Sequence, residues 1–239
     1  MSRWADEVRA AGAQPTGVPV RPAATVALLR NGDTGIEVLM GQRATKMDFH
    51  GGAWVFPGGR IDDEDYDQSR DIVRAARNAA AREAMEEAGV TVDADALVHF
   101  SNWTTPDISP KRYATWFFAG AAGADHDQAK PDGVESDAVR WLTPHQAMAE
   151  RAAGEIELAP PQFVSMLTLS RFDTVSEALT TLSVEEPVDF QPRFHFLDGG
   201  GAIVFYEGDV AYDDTDKRAE PGPRHRLLMG REGWVYERA

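Results

Sequence analysis

The chain has 239 residues, with 24 lysines and arginines against 39 aspartates and glutamates, which gives a formal net charge of −15. This acidity argues against a nucleic-acid-binding protein, because contacts with nucleic-acid phosphates need a basic face. It leaves room for a phosphorylated small molecule, since a bound metal can reverse the local field. There is no cysteine, so disulfides, thiolate nucleophiles and cysteine zinc sites are excluded.

The first part of the chain predicts a lead-in, a hairpin and one long helix. Residues 1–14 have the pattern of a short helix, and the prolines after them favour an extended segment. Strands are expected at residues 23–30, 36–41 and 53–56, with Pro57 ending the last. Asn31-Gly32 between the first two is a hairpin signal. A helix should run from about Ser69 to Ala88, because the segment is rich in Ala, Arg and Glu and precedes Gly89.

The buried side of this helix and the rest of the chain follow from the same patterns. The helix should bury a narrow apolar stripe, namely Ile72, Ala76, Ala79, Ala80, Ala84 and Ala88. Strands are expected at 97–103, 112–119 and 139–142, with loops at 104–111 and 120–133. Thr143-Pro144 should begin a helix, and residues 160–184 should form two more. Short strands joined by Gly and Asp turns are expected from Pro192 onward.

Three carboxylates on the long helix form the first chemical signal. Glu83, Glu86 and Glu87 are spaced i,i+3 and i,i+4, so their side chains lie near one face. Like charges this close repel each other, and Mg²⁺ or Mn²⁺ is the natural ion to hold between them. Arg82 is placed to pair with Glu86. The alternative is a solvated acidic face stabilised by i,i+4 pairs.

A glycine turn precedes that helix. Phe56-Pro57-Gly58-Gly59-Arg60 ends a predicted strand and leads through an acidic loop into the carboxylate helix. Paired glycines allow the backbone to approach a ligand and direct its amides at phosphate oxygens. We therefore expect Gly58, Gly59 and Arg60 to bind substrate. A Gly-Gly turn followed by Arg-Glu-x-x-Glu-Glu-x-Gly is a much stronger signal than either part alone.

This series resembles the Nudix hydrolase box, G-x5-E-x7-R-E-U-x-E-E-x-G-U, in which U is a bulky aliphatic residue. Gly59 begins the box, Asp65 stands at the first Glu, and the second half matches at Arg82, Glu83, Glu86, Glu87, Gly89 and Val90. The chain departs from the box in two ways: sixteen residues separate Asp65 from Arg82 instead of seven, and Ala84 replaces the aliphatic residue. The resemblance implies an α/β fold, a mixed sheet sandwiched between helices, and hydrolysis of a nucleoside diphosphate linked to another group.

A second motif suggests the substrate. Residues 39–59 resemble the coenzyme A diphosphatase motif L-L-T-x-R-[SA]-x3-R-x3-G-x3-F-P-G-G, with its spacing preserved. Arg43 falls on the first arginine, and Asp48 replaces the second. Arg43 is therefore expected to contact a substrate phosphate, the alternative being a salt bridge at the rim. The long C-terminal region looks most like the mammalian peroxisomal acyl-CoA diphosphatase branch.

One acid outside the box is a further candidate. Glu135 lies in the loop that enters a strand, where Nudix enzymes commonly supply another carboxylate as metal ligand or general base. Asp132 and Asp137 are the alternatives. Either Glu135 or a box glutamate such as Glu86 would take the proton of the attacking water.

The resemblance and the composition together divide the chain. We expect a lead-in over 1–19, a Nudix domain over 20–150, a helical extension over 151–186 and a β-rich region over 187–239. The β-rich region is rich in aromatic residues, so it should pack on the core or across a homodimer. Arg224 or Arg226 should reach an acidic neighbour or a substrate phosphate.

The sequence and the resemblance together predict a Mg²⁺- or Mn²⁺-dependent diphosphatase of coenzyme A or acyl-CoA. A pyrophosphatase for ADP-ribose, NADH or another nucleotide diphosphate is the main alternative, and a non-catalytic ligand-binding regulator is a third. No apolar run approaches the roughly 20 residues of a membrane helix, and the N-terminus lacks an export signal, so a cytoplasmic enzyme without membrane or nucleic-acid partners is expected.

Overall fold

A computed structural model describes residues 16–46, 51–198, 200–230 and 233–239. The helix predicted over residues 1–14 and the motif position Asp48 lie outside these ranges. Contacts divide the chain into two units: the larger comprises Pro22–Asn102 and Thr115–Val188, and the smaller comprises the described residues up to Arg21 with Trp103–Ala114 and Asp189–Ala239. Within the described ranges, no helix is both long and apolar enough to cross a membrane.

The larger unit is built on a mixed sheet with the strand order β3-β2-β1-β6-β5. Its strands are β1 (Val20–Gly32), β2 (Gly35–Arg43), β3 (Trp54–Val55), β4 (Gly58–Arg60), β5 (Val98–Thr104), β6 (Arg112–Ala121) and β7 (Ser136–Leu142). Strand β4 pairs antiparallel with β1, and β7 pairs antiparallel with β2. The predicted hairpin is confirmed, with Gly32 opposite Gly35 and Asp33-Thr34 as its turn.

Four helices occur among the described residues: α1 (Ile72–Ala88), α2 (Pro144–Ala153), α3 (Pro160–Leu169) and α4 (Val175–Leu182). Helix α1 begins after Asp71, whose side chain accepts a hydrogen bond from the Arg74 amide, so it starts later than the predicted Ser69. It ends at Gly89, which has the positive φ of 66° that favours glycine at this position. Helix α2 begins with the expected Thr143 cap, reinforced by Gln146.

An alanine stripe lets α1 lie close to the sheet. The stripe is buried and comprises Ala75, Ala76, Ala79, Ala80, Ala84 and Ala88, whereas Ile72 is only partly buried, contrary to the prediction. It packs against Val26 and Leu28 of β1 and Phe118 of β6. Because alanine side chains are short, the helix backbone approaches the strands, and the polar residues beside the stripe come near β4.

The sequence patterns missed regular structure in two places. The strand predicted before Pro57 does end before the proline, but a separate strand, β4, begins at Gly58 and pairs with β1. The proline carbonyl accepts hydrogen bonds from the Val26 amide and the Thr25 hydroxyl, so proline fits this break without an unpaired amide. The region 120–133 is also not all loop, since β6 continues to Ala121 and a 3₁₀ turn spans His126–Gln128.

The smaller unit contains an antiparallel sheet in the order β12-β11-β10-β9, which confirms the β-rich C-terminal region. Its strands are β9 (Arg193–Phe196), β10 (Ala202–Phe205), β11 (His225–Gly230) and β12 (Gly233–Arg238), and β8 (Val188–Phe190) spans the boundary between units. Arg226 forms a buried ion pair with Asp209 at 2.7 Å, so the acidic neighbour expected for Arg224 or Arg226 is confirmed at Arg226. The predicted domain boundaries stay a prediction.

Candidate active site

Arg82 on α1 is the hub that joins the acidic residues. Its guanidinium donates to both carboxylate oxygens of Asp65 at 3.0 and 3.1 Å. It also donates to Glu83 at 2.9 Å, to Glu86 at 3.0 Å and to the carbonyl of Arg60 at 3.1 Å. The hydrogen bond with Asp65, first, and that with Glu83 raise the pKa of Arg82. One cation therefore fixes three carboxylates in relation to the end of β4.

Asp65 reaches Arg82 despite the longer box. It is buried, and its carboxylate also accepts from the Asp62 amide at 2.9 Å. The Asn78 side chain on α1 donates to the Asp65 carbonyl at 2.9 Å. The sixteen residues between Asp65 and Arg82 form the loop before α1 and its first turns.

Gly58 and Gly59 bring the strand backbone against the acidic helix. A Cβ on Gly58 would lie 2.5 Å from the Ala24 carbonyl oxygen, and a Cβ on Gly59 would collide with the Glu83 carboxylate. The Gly58 amide donates to Glu87 at 3.0 Å. This amide is therefore engaged within the protein, and the glycines serve the close approach of strand and helix. Substrate binding by Gly58, Gly59 and Arg60 stays a prediction.

Burial disfavours the ionised forms of Glu83 and Glu87 in the carboxylate cluster. Glu87 is 8% exposed, and its pKa is raised to about 7, chiefly by burial. The charges of Glu83 and Glu135 contribute to this rise, while the hydrogen bond from Gly58 and the charge of Arg43 oppose it. Burial also raises the pKa of Glu83, with Arg82 opposing the effect. The cluster thus holds more negative charge than its cations neutralise, and a bound cation would be favoured there.

The donor set fits a hard divalent cation such as Mg²⁺ or Mn²⁺. The hydrogen bonds described above engage one oxygen each of Glu83, Glu86 and Glu87, which leaves the other oxygen of each carboxylate without a protein partner in the described part of the chain. Carboxylate oxygens are the ligands such ions prefer. Among the described residues, however, no group of three or more acidic or histidine side chains is already gathered at ligating geometry.

Arg43 lies at the end of β2 with its backbone anchored on both sides. Its amide donates to the Ala53 carbonyl at 2.9 Å, and its own carbonyl accepts from the Gly52 amide at 2.9 Å. Its Nε is buried and has no hydrogen-bond partner within the ranges that the structure describes. Its charge also lowers the pKa of Glu87, so Arg43 acts electrostatically on the carboxylate cluster while its Nε stays without a partner in the described residues.

The three candidate acids around the start of β7 have different roles. Asp132 accepts hydrogen bonds from the amides of Val134, Glu135 and Ser136, so it builds the turn. Asp137 accepts from Thr45. Glu135 is exposed, and its carboxylate has no hydrogen-bond partner in the described ranges, although its charge acts on Glu83 and Glu87. Of the three, Glu135 alone leaves its carboxylate available to a ligand.

Comparison with known proteins agrees with this architecture. The model of the NUDIX domain family matches residues 19–162. The chain is 26% identical over 220 residues to the Caenorhabditis elegans protein "Putative nudix hydrolase 7", covering 77% of this chain and 72% of that protein. A crystal structure of a NUDIX hydrolase from Alicyclobacillus acidocaldarius has a TM-score of 0.60 at 24% identity, covering 72% of this chain and 100% of that one. This likeness concerns the fold.

Relatives with a more specific name match less of the chain. Acyl-coenzyme A diphosphatase NUDT19 of Gallus gallus is 30% identical over 140 residues, and that of Xenopus laevis is 27% identical over 132 residues. The matches cover 55% and 52% of this chain but only 37% and 34% of the two relatives. The chain thus spans about a third of the length of each.

Proposed function

The chain belongs to the NUDIX family, and we propose that it hydrolyses the diphosphate of coenzyme A or acyl-CoA with the help of a divalent metal. The products would be 3′,5′-ADP and 4′-phosphopantetheine or its acyl form. Support for this substrate comes from the motif of residues 39–59 and from the names of the two acyl-coenzyme A diphosphatases. The family alone supports only a hydrolase of small nucleotide diphosphates.

The observation that carries the proposal of a diphosphate substrate is the state of Arg43, and the choice of coenzyme A depends on the motif and the relatives. A buried guanidinium nitrogen without a partner is costly, and a planar fork of donors suits phosphate oxygens. Arg43 faces the acidic cluster rather than pairing with it through a hydrogen bond in the described structure. A diphosphate bound at the cluster would accept hydrogen bonds from the Arg43 guanidinium, and Arg43 would neutralise part of the substrate charge.

The reaction needs a proton acceptor and a means of placing water beside a dianionic bridge. A divalent ion held by Glu83, Glu86 and Glu87 would offset the negative charge and lower the pKa of water. Water attacks one phosphorus, the bridging P–O bond breaks to release a phosphate product, and the water proton passes to Glu135 or Glu86. Arg82 acts by fixing the orientation of Glu83 and Glu86 through the hydrogen bonds described above.

Product identification tests the proposal directly. The protein is incubated with coenzyme A, acetyl-CoA, ADP-ribose, NADH and dinucleoside polyphosphates, each with Mg²⁺ and with Mn²⁺, and products are separated by chromatography. Release of 3′,5′-ADP from coenzyme A with the highest kcat/KM of the panel supports it. Preferential release of AMP from ADP-ribose or NADH would favour the alternative pyrophosphatase function.

Variants of Arg43 then locate the specificity. Arg43→Ala should lower kcat/KM for coenzyme A by about 5- to 150-fold, the effect of roughly 1–3 kcal/mol for a charged hydrogen bond. Arg43→Lys should recover only part of this, because lysine keeps the charge but not the fork. Arg171→Ala is the matched control, since Arg171 pairs with Glu185 on the protein itself. An equal loss on ADP-ribose would assign Arg43 to the shared diphosphate.

A further inference from the structure

Two segments that carry site residues are tied together just beyond those residues. The Ala44 amide, next to Arg43, donates to the Glu135 carbonyl at 2.7 Å. One residue further on, Thr45 donates to the Asp137 carboxylate from its amide at 2.9 Å and from its hydroxyl at 2.8 Å. The contacts of Thr45 with Asp137 link positions 92 residues apart in the chain.

The hydrogen bonds of Asp137 lie just beyond the point where the regular pairing of β2 with β7 ends. Strands β2 and β7 pair antiparallel, but their register shifts between Gln42 and Arg43, which brings Arg43 opposite Ser136. A register irregularity of this kind bends a strand and redirects its side chains. After this irregularity, Thr45 has no partner in the pairing of β2 with β7. Its amide and its hydroxyl both donate to the Asp137 side chain instead.

We propose that Asp137 is a positioning residue, whose carboxylate clamps the segment after Arg43 to the turn that carries Glu135. The clamp fixes the distance between Arg43, which would bind the diphosphate, and the Glu135 carboxylate, which would take part in its hydrolysis. This inference rests on the proposed function, because Arg43 and Glu135 have chemical roles only there. Asp137 itself touches neither substrate nor metal in this scheme.

The clamp suits positioning better than global stability. Asp137 and Thr45 are both exposed, so each hydrogen bond adds little to folding. Reacting groups, by contrast, lose rate steeply when they are misplaced by fractions of an ångström. Asp132 holds the other side of the Glu135 turn through three backbone amides, so the loss of Asp137 should shift that turn rather than unfold it.

The chain offers a matched control for the experiment. Asp125, which is partly buried, accepts from the amide and hydroxyl of the exposed Thr91 in an Asp–Thr clamp of the same unit, and none of the proposed metal, substrate or general-base residues is adjacent to either residue. Asp137→Ala and Asp125→Ala should lower Tm to a similar, small extent. Asp137→Ala should lower kcat/KM about tenfold on the diphosphate that the wild type hydrolyses best, and Asp125→Ala should change it less than twofold.

Two further variants separate positioning from a general loss of structure. Asp137→Asn keeps one oxygen to accept from Thr45 and should recover part of the activity. In an Arg43→Ala background, Asp137→Ala should cost less than about threefold, because its effect through Arg43 is already lost. Full additivity in this cycle, or an equal activity loss in Asp125→Ala, would overturn the positioning role.

Hydrogen exchange tests the clamp independently of activity. Asp137→Ala should accelerate amide exchange at Ala44 and Thr45 by about tenfold or more, while Asp125→Ala should accelerate it at Thr91 instead. Unchanged exchange at Ala44 and Thr45 would refute the clamp whatever the enzyme hydrolyses. If the wild type leaves coenzyme A intact but cleaves another diphosphate, the substrate proposal fails and the clamp is judged on that other substrate and on exchange.

Discussion

Replacing Glu87 by Gln should stabilise the metal-free protein, and the gain should depend on pH. Gln keeps an oxygen that can accept the Gly58 amide, so the substitution chiefly removes the charge. In the folded chain, burial and the neighbouring Glu83 and Glu135 raise the pKa of Glu87 from its ordinary value of 4.5 to about 7. The folded state therefore disfavours the ionised carboxylate.

The sign and size follow from proton linkage. Because the folded pKa is above the unfolded one, the penalty is absent below about pH 4.5, grows as pH rises and is complete above about pH 7. At about 1.4 kcal/mol per pKa unit, it amounts to about 3 kcal/mol at pH 8. Glu87→Gln removes it, so the variant should gain less than about 1 kcal/mol over the wild type at pH 5 and about 3 kcal/mol at pH 8.

Urea denaturation with a chelator present, followed by circular dichroism between pH 5 and 8, measures this difference. Glu86→Gln is the matched control, since the Glu86 side chain is 57% exposed and its free energy of unfolding should change by less than about 1 kcal/mol. Added Mg²⁺ should stabilise the wild type more than Glu87→Gln, because only the wild type keeps the full ligand set. A gain for Glu87→Gln that is the same at pH 5 and 8 would refute the electrostatic explanation.

The other predictions concern catalysis and the smaller unit. Glu86→Gln should fold normally and lower kcat by at least about 10²-fold with Mg²⁺; turnover near that of the wild type would exclude Glu86 from the reaction. Asp209→Ala should cost about 3–5 kcal/mol in urea denaturation, because it leaves the buried Arg226 guanidinium without its partner, and a loss below 1 kcal/mol would contradict this. Tyr206→Phe should be neutral or stabilising by about 1–3 kcal/mol, since the hydroxyl is buried without a partner in the described ranges; a clear loss of Tm would reveal a hydrogen bond there.

The sequence predicted features that depend on local chemistry. The composition of α1 and the glycine after it determined the helix, and i,i+4 spacing placed Arg82 beside Glu86, as the structure confirms. In each case, the interacting residues are fixed by a helix repeat or by a short box, so neighbouring positions in sequence carry the information.

Long-range register could not be predicted in the same way. The contact between Thr45 and Asp137 depends on a register shift between β2 and β7, and no local pattern encodes how strands so far apart in sequence align. For the same reason the sequence does not show which acid near residue 135 has a carboxylate without a partner. The hydrogen bonds that occupy Asp132 and Asp137 form only in the folded turn. Strand β4 was missed because it follows Pro57 directly and is fixed by its pairing with β1, which is distant in sequence.

The division of charge at the site explains how a chain of net charge −15 can be suited to an anionic substrate. Arg82 pairs with Asp65, Glu83 and Glu86. It therefore orders these carboxylates without offering a free positive charge to a ligand. Arg43 keeps an unpaired donor, but a single cation cannot offset both the cluster and a diphosphate. The arrangement is therefore incomplete without a divalent ion: the protein fixes the ligands and one phosphate contact, and the ion supplies the charge that makes them compatible with the substrate.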